Sequence, residues 1–387
     1  MASRLTTKRR TPRTAPFALR ALPPPTIPPA AWPRDDRKAQ RLLLIDPATS
    51  TLSDRSLREL PELLLAGDLL VFNDAATLPA SLWATTGSGS GLELRLARER
   101  AGRYWAVVLG AGDWRARTED RKPPPPLSMG ERLTLTRSGH TAALLTASVV
   151  DLAPLGTAYS PEHPLIALEF EADGAALWDA LYRAGRPIQY SYVERPLEPW
   201  HVQNVFASRP WAFELPSAAH GFDWELLLAL RRRGVRLAAL THAAGISSTG
   251  SLELDRRLPF PERYEIPPET ALEVARAQRQ GHRVVAVGTT VVRALESAWT
   301  GARLRAGAGE ATLTLGARQP RKSPRVVDAV ISGIHQAGEP HYSLLEAFVP
   351  APLLARAEAH ARAGGYHAHE FGDACLVLGS SQGDSAA

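Results

Sequence analysis

With 387 residues, 44% of them hydrophobic, and a mean hydropathy of -0.16, the chain can bury a large core and form two domains, and it has no apolar run long enough to span a bilayer. The formal charge of +5 is concentrated at the start: Arg4, Lys8, Arg9, Arg10, Arg13 and Arg20 are accompanied by no acid, so the rest is nearly neutral and offers phosphate no general attraction. A single cysteine, Cys375, excludes an intrachain disulfide and a Cys-rich zinc site, which fits a reducing, cytoplasmic setting.

Residues 1–33 read as a basic, Pro-rich tail, disordered or extended. Arg9-Arg10 invites a twin-arginine export reading, but Arg20 and Pro23-Pro-Pro25 interrupt the only apolar stretch that follows. Globular patterning begins at Arg41. Leu42 to Ile45 predicts a strand, Leu57 to Leu65 a helix closed by Gly67, and Leu69 to Phe72 a second strand ending in Asn73-Asp74. Between residues 76 and 171 short alternating segments follow one another: Leu92 to Leu96, Tyr104 to Leu109, Arg132 to Thr136 and Ala142 to Val150. Gly, Pro or charged turns separate them, which points to antiparallel β structure, and a small barrel would close its own edges.

From residue 172 strand-like and helical segments alternate. Trp224 to Arg233 predicts a helix with apolar positions at Trp224, Leu227, Leu228 and Leu230, and Arg231-Arg-Arg233 reads as its solvated last turn. Leu237 to Leu240 predicts a strand delivering His242 to a loop, and Pro268 to Gln280 an amphipathic helix. The run Gly281-His-Arg-Val-Val-Ala-Val-Gly-Thr-Thr-Val-Val-Arg-Ala-Leu-Glu-Ser297 then reads as a buried strand, a Gly-Thr-Thr turn and a helix. Gly288 permits the sharp turn, Thr289 or Thr290 can cap the helix, and its free N–H groups suit a carboxylate or phosphate oxygen. A capped connection without a ligand is the competing reading.

Several other motifs lead nowhere. Gly87-Ser-Gly-Ser-Gly91 and Gly307-Ala-Gly309 fall in expected loops with no helix behind them, so neither is a dinucleotide fingerprint. Gly379-Ser-Ser-Gln-Gly383 lacks the helix a nucleophile elbow requires and belongs to an expected flexible tail, 379–387. His367-Ala-His369 offers two imidazoles but no third ligand, so no metal is expected.

The 281–297 run, together with Arg37, Arg41 to Asp46, Gly67 to Asp74 with Pro79 and Ala80, Val326 to Ile331 with His335, Leu344 to Phe348, Tyr366 and Phe371 to Leu376, resembles the S-adenosylmethionine:tRNA ribosyltransferase-isomerases of queuosine biosynthesis. The likeness spans about residues 34 to 378 in the family's order. It implies an α/β core domain with an inserted small antiparallel β-barrel domain, the core formed by 34–75 and 172–378 and the barrel by 76–171. The implied reaction moves the ribosyl moiety of S-adenosylmethionine, here a substrate, onto a modified deazaguanine base in tRNA, releasing adenine and methionine and forming epoxyqueuosine.

This chain departs from the family at several polar positions. Pro216-Ser-Ala-Ala-His-Gly-Phe222 displaces a histidine by one place, Pro259-Phe-Pro-Glu262 keeps a carboxylate without its imidazole, and Ser332-Gly-Ile-His-Gln-Ala337 keeps His335 alone. An S-adenosylmethionine-consuming enzyme with another acceptor, or an inactive homologue retaining ligand or RNA binding, therefore stands beside the first reading. The resemblance implies His335, His242 and His220 as acid or base, with Glu262 orienting a base. Gly288, Thr289, Thr290, Arg293, Asn73, Asp74 and Asp373 are the implied contacts to S-adenosylmethionine, and tRNA is the implied macromolecular partner.

Overall fold

The computed structural model describes residues 27–137, 139–316 and 323–379. Seventeen strands are present among them. Those of the core are β1 (Arg41–Asp46), β2 (Thr51–Ser56), β3 (Leu69–Asn73), β4 (Ala75–Thr77), β11 (Arg209–Ala212), β12 (Arg236–His242), β13 (Glu262–Ile266), β14 (Val284–Val287), β15 (Gly307–Ala311), β16 (Ala329–Gly333) and β17 (Ala374–Leu378). The inserted strands are β5 (Ser81–Thr85), β6 (Gly91–Arg100), β7 (Arg103–Gly110), β8 (Arg132–Thr136), β9 (Ala143–Asp151) and β10 (Leu165–Phe170). The molecule is an α/β core carrying an inserted antiparallel β-barrel.

The core sheet has nine strands in the order β15-β13-β12-β3-β14-β16-β17-β1-β2. Its centre, β12, β3, β14 and β16, is parallel throughout. Both faces are covered, and the sequence shows it. In β14, Val284 and Ala286 pack into one apolar cluster while Val285 and Val287 pack into the cluster on the other face. Leu69 and Val71 of β3 divide from Leu70 and Phe72 in the same way, so a continuous apolar run replaces the alternation of a half-exposed strand.

The barrel closes in the order β10-β7-β6-β5-β8-β9. Leu82, Leu94, Val108, Leu133, Ala147 and Leu168 fill it with fully buried side chains. Closure leaves no free edge for another chain to pair with. Its outer wall is ionic where loops cover it: Glu93 receives Arg95 and Arg121, whose charges outweigh the cost of burial and hold the carboxyl at about 2. The chain enters the barrel from β4 and returns through β11, its parallel neighbour. Arg98 to Glu310 and Arg263 to Glu99 are ion pairs joining the barrel to β15 and β13.

Some local expectations are revised. Residues 27–33, assigned to the tail by composition, pack onto the core: Ile27 is fully buried, its N–H donates to Gln336 Oε1 at 2.9 Å, and Ala30 N donates to Ala368 O at 3.0 Å. Residues 1–26 and 380–387 lie outside the described residues. The expected helix at 57–65 divides into a 3-10 turn, Leu57–Glu59, and one α turn, Leu60–Leu63, because Pro61 lacks an N–H and permits only a helix start. In helix Trp224–Arg232, Trp224 and Leu228 face solvent and Leu226, Leu227 and Leu230 are buried, so the apolar stripe is rotated from the expected one. Gly307-Ala-Gly309 lies in edge strand β15 rather than a loop, since Gly309 leaves room for the Tyr264 ring.

Candidate active site

The C-terminal ends of parallel strands form a natural site in open α/β sheets, because successive loops diverge there. Here β3 ends in Asn73, β12 in His242, β14 in Val287, followed by Gly288, and β16 in Gly333, followed by His335. Antiparallel β13 and β17 begin at the same edge, placing Glu262 and Asp373 there. The loop 243–247 that follows β12 contacts the barrel through Ile246, so this edge lies between the two domains.

Gly288 leaves β14 at φ 99 and is itself the N-cap of helix Thr289–Ala298. The expected Thr cap is absent: neither hydroxyl bonds a helix N–H, and the Gly288 N–H goes to Ile331 O at 2.8 Å. Thr289 is buried, whereas Thr290 is partly exposed with Oγ1 3.5 Å from Asn73 Nδ2. Asn73 bridges two strands, donating to His242 O and accepting from His242 N, each at 2.9 Å. Asp74 accepts from Thr241 Oγ1 at 2.6 Å and from Ser208 Oγ at 3.1 Å, tying β3, β12 and the return from the barrel together.

Behind this surface lies a buried charge pair. Glu262 accepts from Gly245 N at 2.6 Å and from Arg293, whose Nη2 also donates to Ala311 O at 2.9 Å. Burial raises the Glu262 carboxyl, against the pull of Arg293. His242, fully buried, has Nε2 3.4 Å from Glu262 Oε2, and neither ring nitrogen makes a hydrogen bond. Burial and then the Arg293 charge hold this imidazole well below its ordinary range, so it is neutral and the contact is no ion pair. His242 therefore occupies the last position of β12, inside the protein, and not the loop expected for it.

His335 is partly exposed. Its Nδ1 lies 3.1 Å from Glu339 Oε2, its Nε2 lies 3.1 Å from Ser332 Oγ, and its ring stacks on His341 at 4.8 Å. Burial, then His335, depress His341 to about 3. His220 sits apart from this group. It ends a 3-10 turn, Ser217–Ala219, so the strand-face argument for a one-place displacement does not apply, and its Nε2 meets His201 O at 3.2 Å. Burial and nearby Arg37 lower it to about 4. Asp373 is occupied by Arg34, Arg41 N and His367 N. Glu296, in the signature helix, accepts from the N–H groups of Arg325, Val326 and Val327 and so anchors the chain entering β16.

Glu214, Tyr190 and Tyr192 at this edge were not singled out from sequence, and His369 was considered only as a metal ligand. Glu214 accepts from the Tyr190 hydroxyl and from Ser247 N at 3.1 Å, and burial together with Glu370 raises it to about 7. Tyr192 donates to Glu370 and stacks on His369 at 4.8 Å. The only local signal is a charge inside the apolar stretch Trp211 to Pro216. A cavity of 750 Å³ lined by Trp299, Arg325, Asp328 and Phe348 lies at the opposite end of the parallel strands, away from these groups. Among the described residues no cluster of three or more His, Cys, Asp or Glu could hold a metal ion, and no helix is long and apolar enough to cross a membrane.

Comparison with known proteins agrees over most of the chain. The sequence model of the family described as "queuosine biosynthesis protein" matches residues 21–377. An S-adenosylmethionine:tRNA ribosyltransferase-isomerase from Thermus thermophilus is 34% identical over 351 residues, covering 89% of this chain and 94% of that protein. One of the same name from Azoarcus is 33% identical over 362 residues, covering 92% and 95%. A crystal structure of an S-adenosylmethionine tRNA ribosyltransferase from Thermotoga maritima aligns over 91% of this chain and 98% of its own, at 24% identity and a TM-score of 0.48.

Proposed function

Because the chain belongs to the queuosine biosynthesis protein family, we propose that it is a transferase-isomerase moving the ribosyl unit of S-adenosylmethionine onto an aminomethyl-deazaguanine base in tRNA, with loss of adenine and methionine. The observation that carries this reading is the convergence of Asn73, Gly288, Thr290 and His335 on the carboxyl edge of four parallel strands, the edge whose loop 243–247 packs on the inserted barrel through Ile246. Thr290 and the helix N-terminus behind it suit the methionine carboxylate, and Asp74, partly exposed, suits adenosine hydroxyls, while Asn73, buried and bonded to His242 and Ala75, holds the strand ends in place. The sulfonium acidifies the neighbouring 5′ carbon. A base removes that proton, adenine leaves as a neutral base when an acid protonates its ring nitrogen, methionine leaves with the sulfur–carbon electron pair, and the acceptor amine gives up an N–H proton as its bond to the ribosyl unit forms, so one proton is released overall.

His335 is a partly exposed imidazole at this edge that follows directly from β16, and it is the proposed proton carrier. His242, neutral and sealed, backs the Glu262–Arg293 pair, and His220 and Asp373 hold structure. The test is adenine release from S-adenosylmethionine with tRNA carrying the aminomethyl-deazaguanine base, against unmodified tRNA. Release that depends on the modified base supports the proposal. Protein that binds S-adenosylmethionine and releases no adenine with that tRNA sinks it, and release with a different acceptor moves the proposal to that acceptor.

A further inference from the structure

Ser332, His335 and Glu339 form a continuous hydrogen-bonded chain, carboxylate to imidazole to hydroxyl, with both links at 3.1 Å. Ser332 and Glu339 have no part in the function proposed above. We infer that Glu339 is a positioning residue that fixes the tautomer of His335, and that with Ser332 it prepares the Nε2 nitrogen of His335 as the base of the reaction. This rests on the proposed function for its catalytic half only.

The direction of each bond follows from what each group can do. Burial acts to raise the Glu339 carboxyl, but the His335 hydrogen bond and charge outweigh it, so Glu339 is held below the ordinary carboxylate range and is ionised near neutral pH. An ionised carboxylate only accepts, so the proton of a neutral His335 ring sits on Nδ1. Nε2 is then a bare lone pair, and the contact with Ser332 must be a hydroxyl donating to nitrogen. Ser332 is buried on β16 and cannot swing into solvent, so it holds that lone pair on a fixed line until a substrate C–H or N–H competes for it.

The surroundings favour a proton arriving there. Glu339 faces the ring with negative charge, and His341 stacks on it as a neutral ring, since its own pKa is pushed down to about 3. Arg293 and His369 are the other cationic or titratable groups acting on this cluster, and both do so through His341 or Glu339. The same logic gives acid–imidazole–hydroxyl chains their effect elsewhere: the carboxylate stabilises the imidazolium as it forms and forbids the wrong tautomer. Besides His335, the Glu339 carboxyl takes a backbone hydrogen bond at Gln336, which the amide oxygen of a glutamine can still accept, so exchanging the acid for its amide bears chiefly on the ring.

Glu339→Gln is the informative change, because an amide can donate to Nδ1 and so favour the opposite tautomer. Nitrogen-15 NMR of histidine-labelled protein, with His335 assigned by its own substitution, should show Nδ1–H in the wild type and predominantly Nε2–H in Glu339→Gln. In the adenine-release assay kcat should fall about 100-fold or more while KM for S-adenosylmethionine stays within about two-fold. Glu339→Asp should restore part of kcat and the original tautomer. An Nε2–H tautomer in the wild type, or an unchanged kcat in folded Glu339→Gln, overturns the inference. Failure of the wild type to release adenine would remove the functional reading instead, and the NMR result would still decide the tautomer.

Discussion

Glu262→Ala should be among the most destabilising single changes in the core. The substitution removes the only carboxylate among the described residues bonded to Arg293, a side chain just 7% exposed, and also takes the acceptor from Gly245 N–H. Arg293 keeps three carbonyls, Ala311 O at 2.9 Å, Phe260 O at 3.4 Å and Leu313 O at 3.4 Å, but none supplies negative charge. Leaving a buried cation without its partner costs about 3–5 kcal/mol, against a total stability of about 5–15 kcal/mol for an ordinary domain. Glu262→Gln keeps an acceptor for Gly245 and the side-chain volume, so its cost should be nearer 2 kcal/mol, roughly that of one charged hydrogen bond. Replacing both partners, Glu262→Leu with Arg293→Met, removes the uncompensated charge and should recover to within about 1 kcal/mol of the wild type. Urea titration followed by fluorescence of the nine tryptophans reads all three as midpoint shifts at a constant slope. If Glu262→Ala lies within about 1 kcal/mol of the wild type, or the double variant is worse than either single one, the pair is not held as argued.

Thr290→Val should weaken S-adenosylmethionine binding by about tenfold in calorimetry, the worth of one hydrogen bond, with an unchanged constant removing the turn from the site. Glu214→Gln should stabilise the protein in alkaline buffer and not in acid. The folded carboxyl, raised from 4.5 to about 7, binds its proton more tightly than the unfolded one, so the wild type loses stability as pH rises through that window. Thermal melts at pH 4 and pH 8 that differ equally between the two proteins would contradict this. Deleting residues 1–26 removes the six cationic side chains that leave the rest near neutral, and should weaken tRNA binding and flatten its salt dependence. The same slope in the shortened chain would place recognition on the core.

The framework was legible because it rests on local patterns. Four consecutive apolar residues before Gly288 identify β14, and alternating segments between 76 and 171 identify the barrel. The place of the candidate site was legible only where a residue lies at the end of such an element, as with Asn73, His242 and Thr290. Glu339 was missed since nothing in Ile334 to Pro340 marks it until the turn after β16 brings it back onto His335. Tyr192 and Glu370 lie 178 positions apart, and Asp373 meets Arg34 across 339, so no local period records either contact. His242 shows the opposite limit: its place along the chain was evident, but its complete burial depends on Glu262 and Arg293 arriving from β13 and from the helix after β14.

The position of β17 governs how this protein can be made. Residues 374–378 form the strand between β16 and β1, so the β1–β2 hairpin has no partner in the main sheet until almost the whole chain has been synthesised. At about 5–20 residues per second on the ribosome, that interval is on the order of tens of seconds. The barrel strands, by contrast, are all translated by Phe170 and can close among themselves long before. Leu42, Leu43 and Ile45 must wait, apolar and unpaired along one edge, which is the condition under which nascent chains recruit chaperones or aggregate. A ribosome stalled shortly before residue 374 would therefore carry a finished barrel beside a sheet split in two.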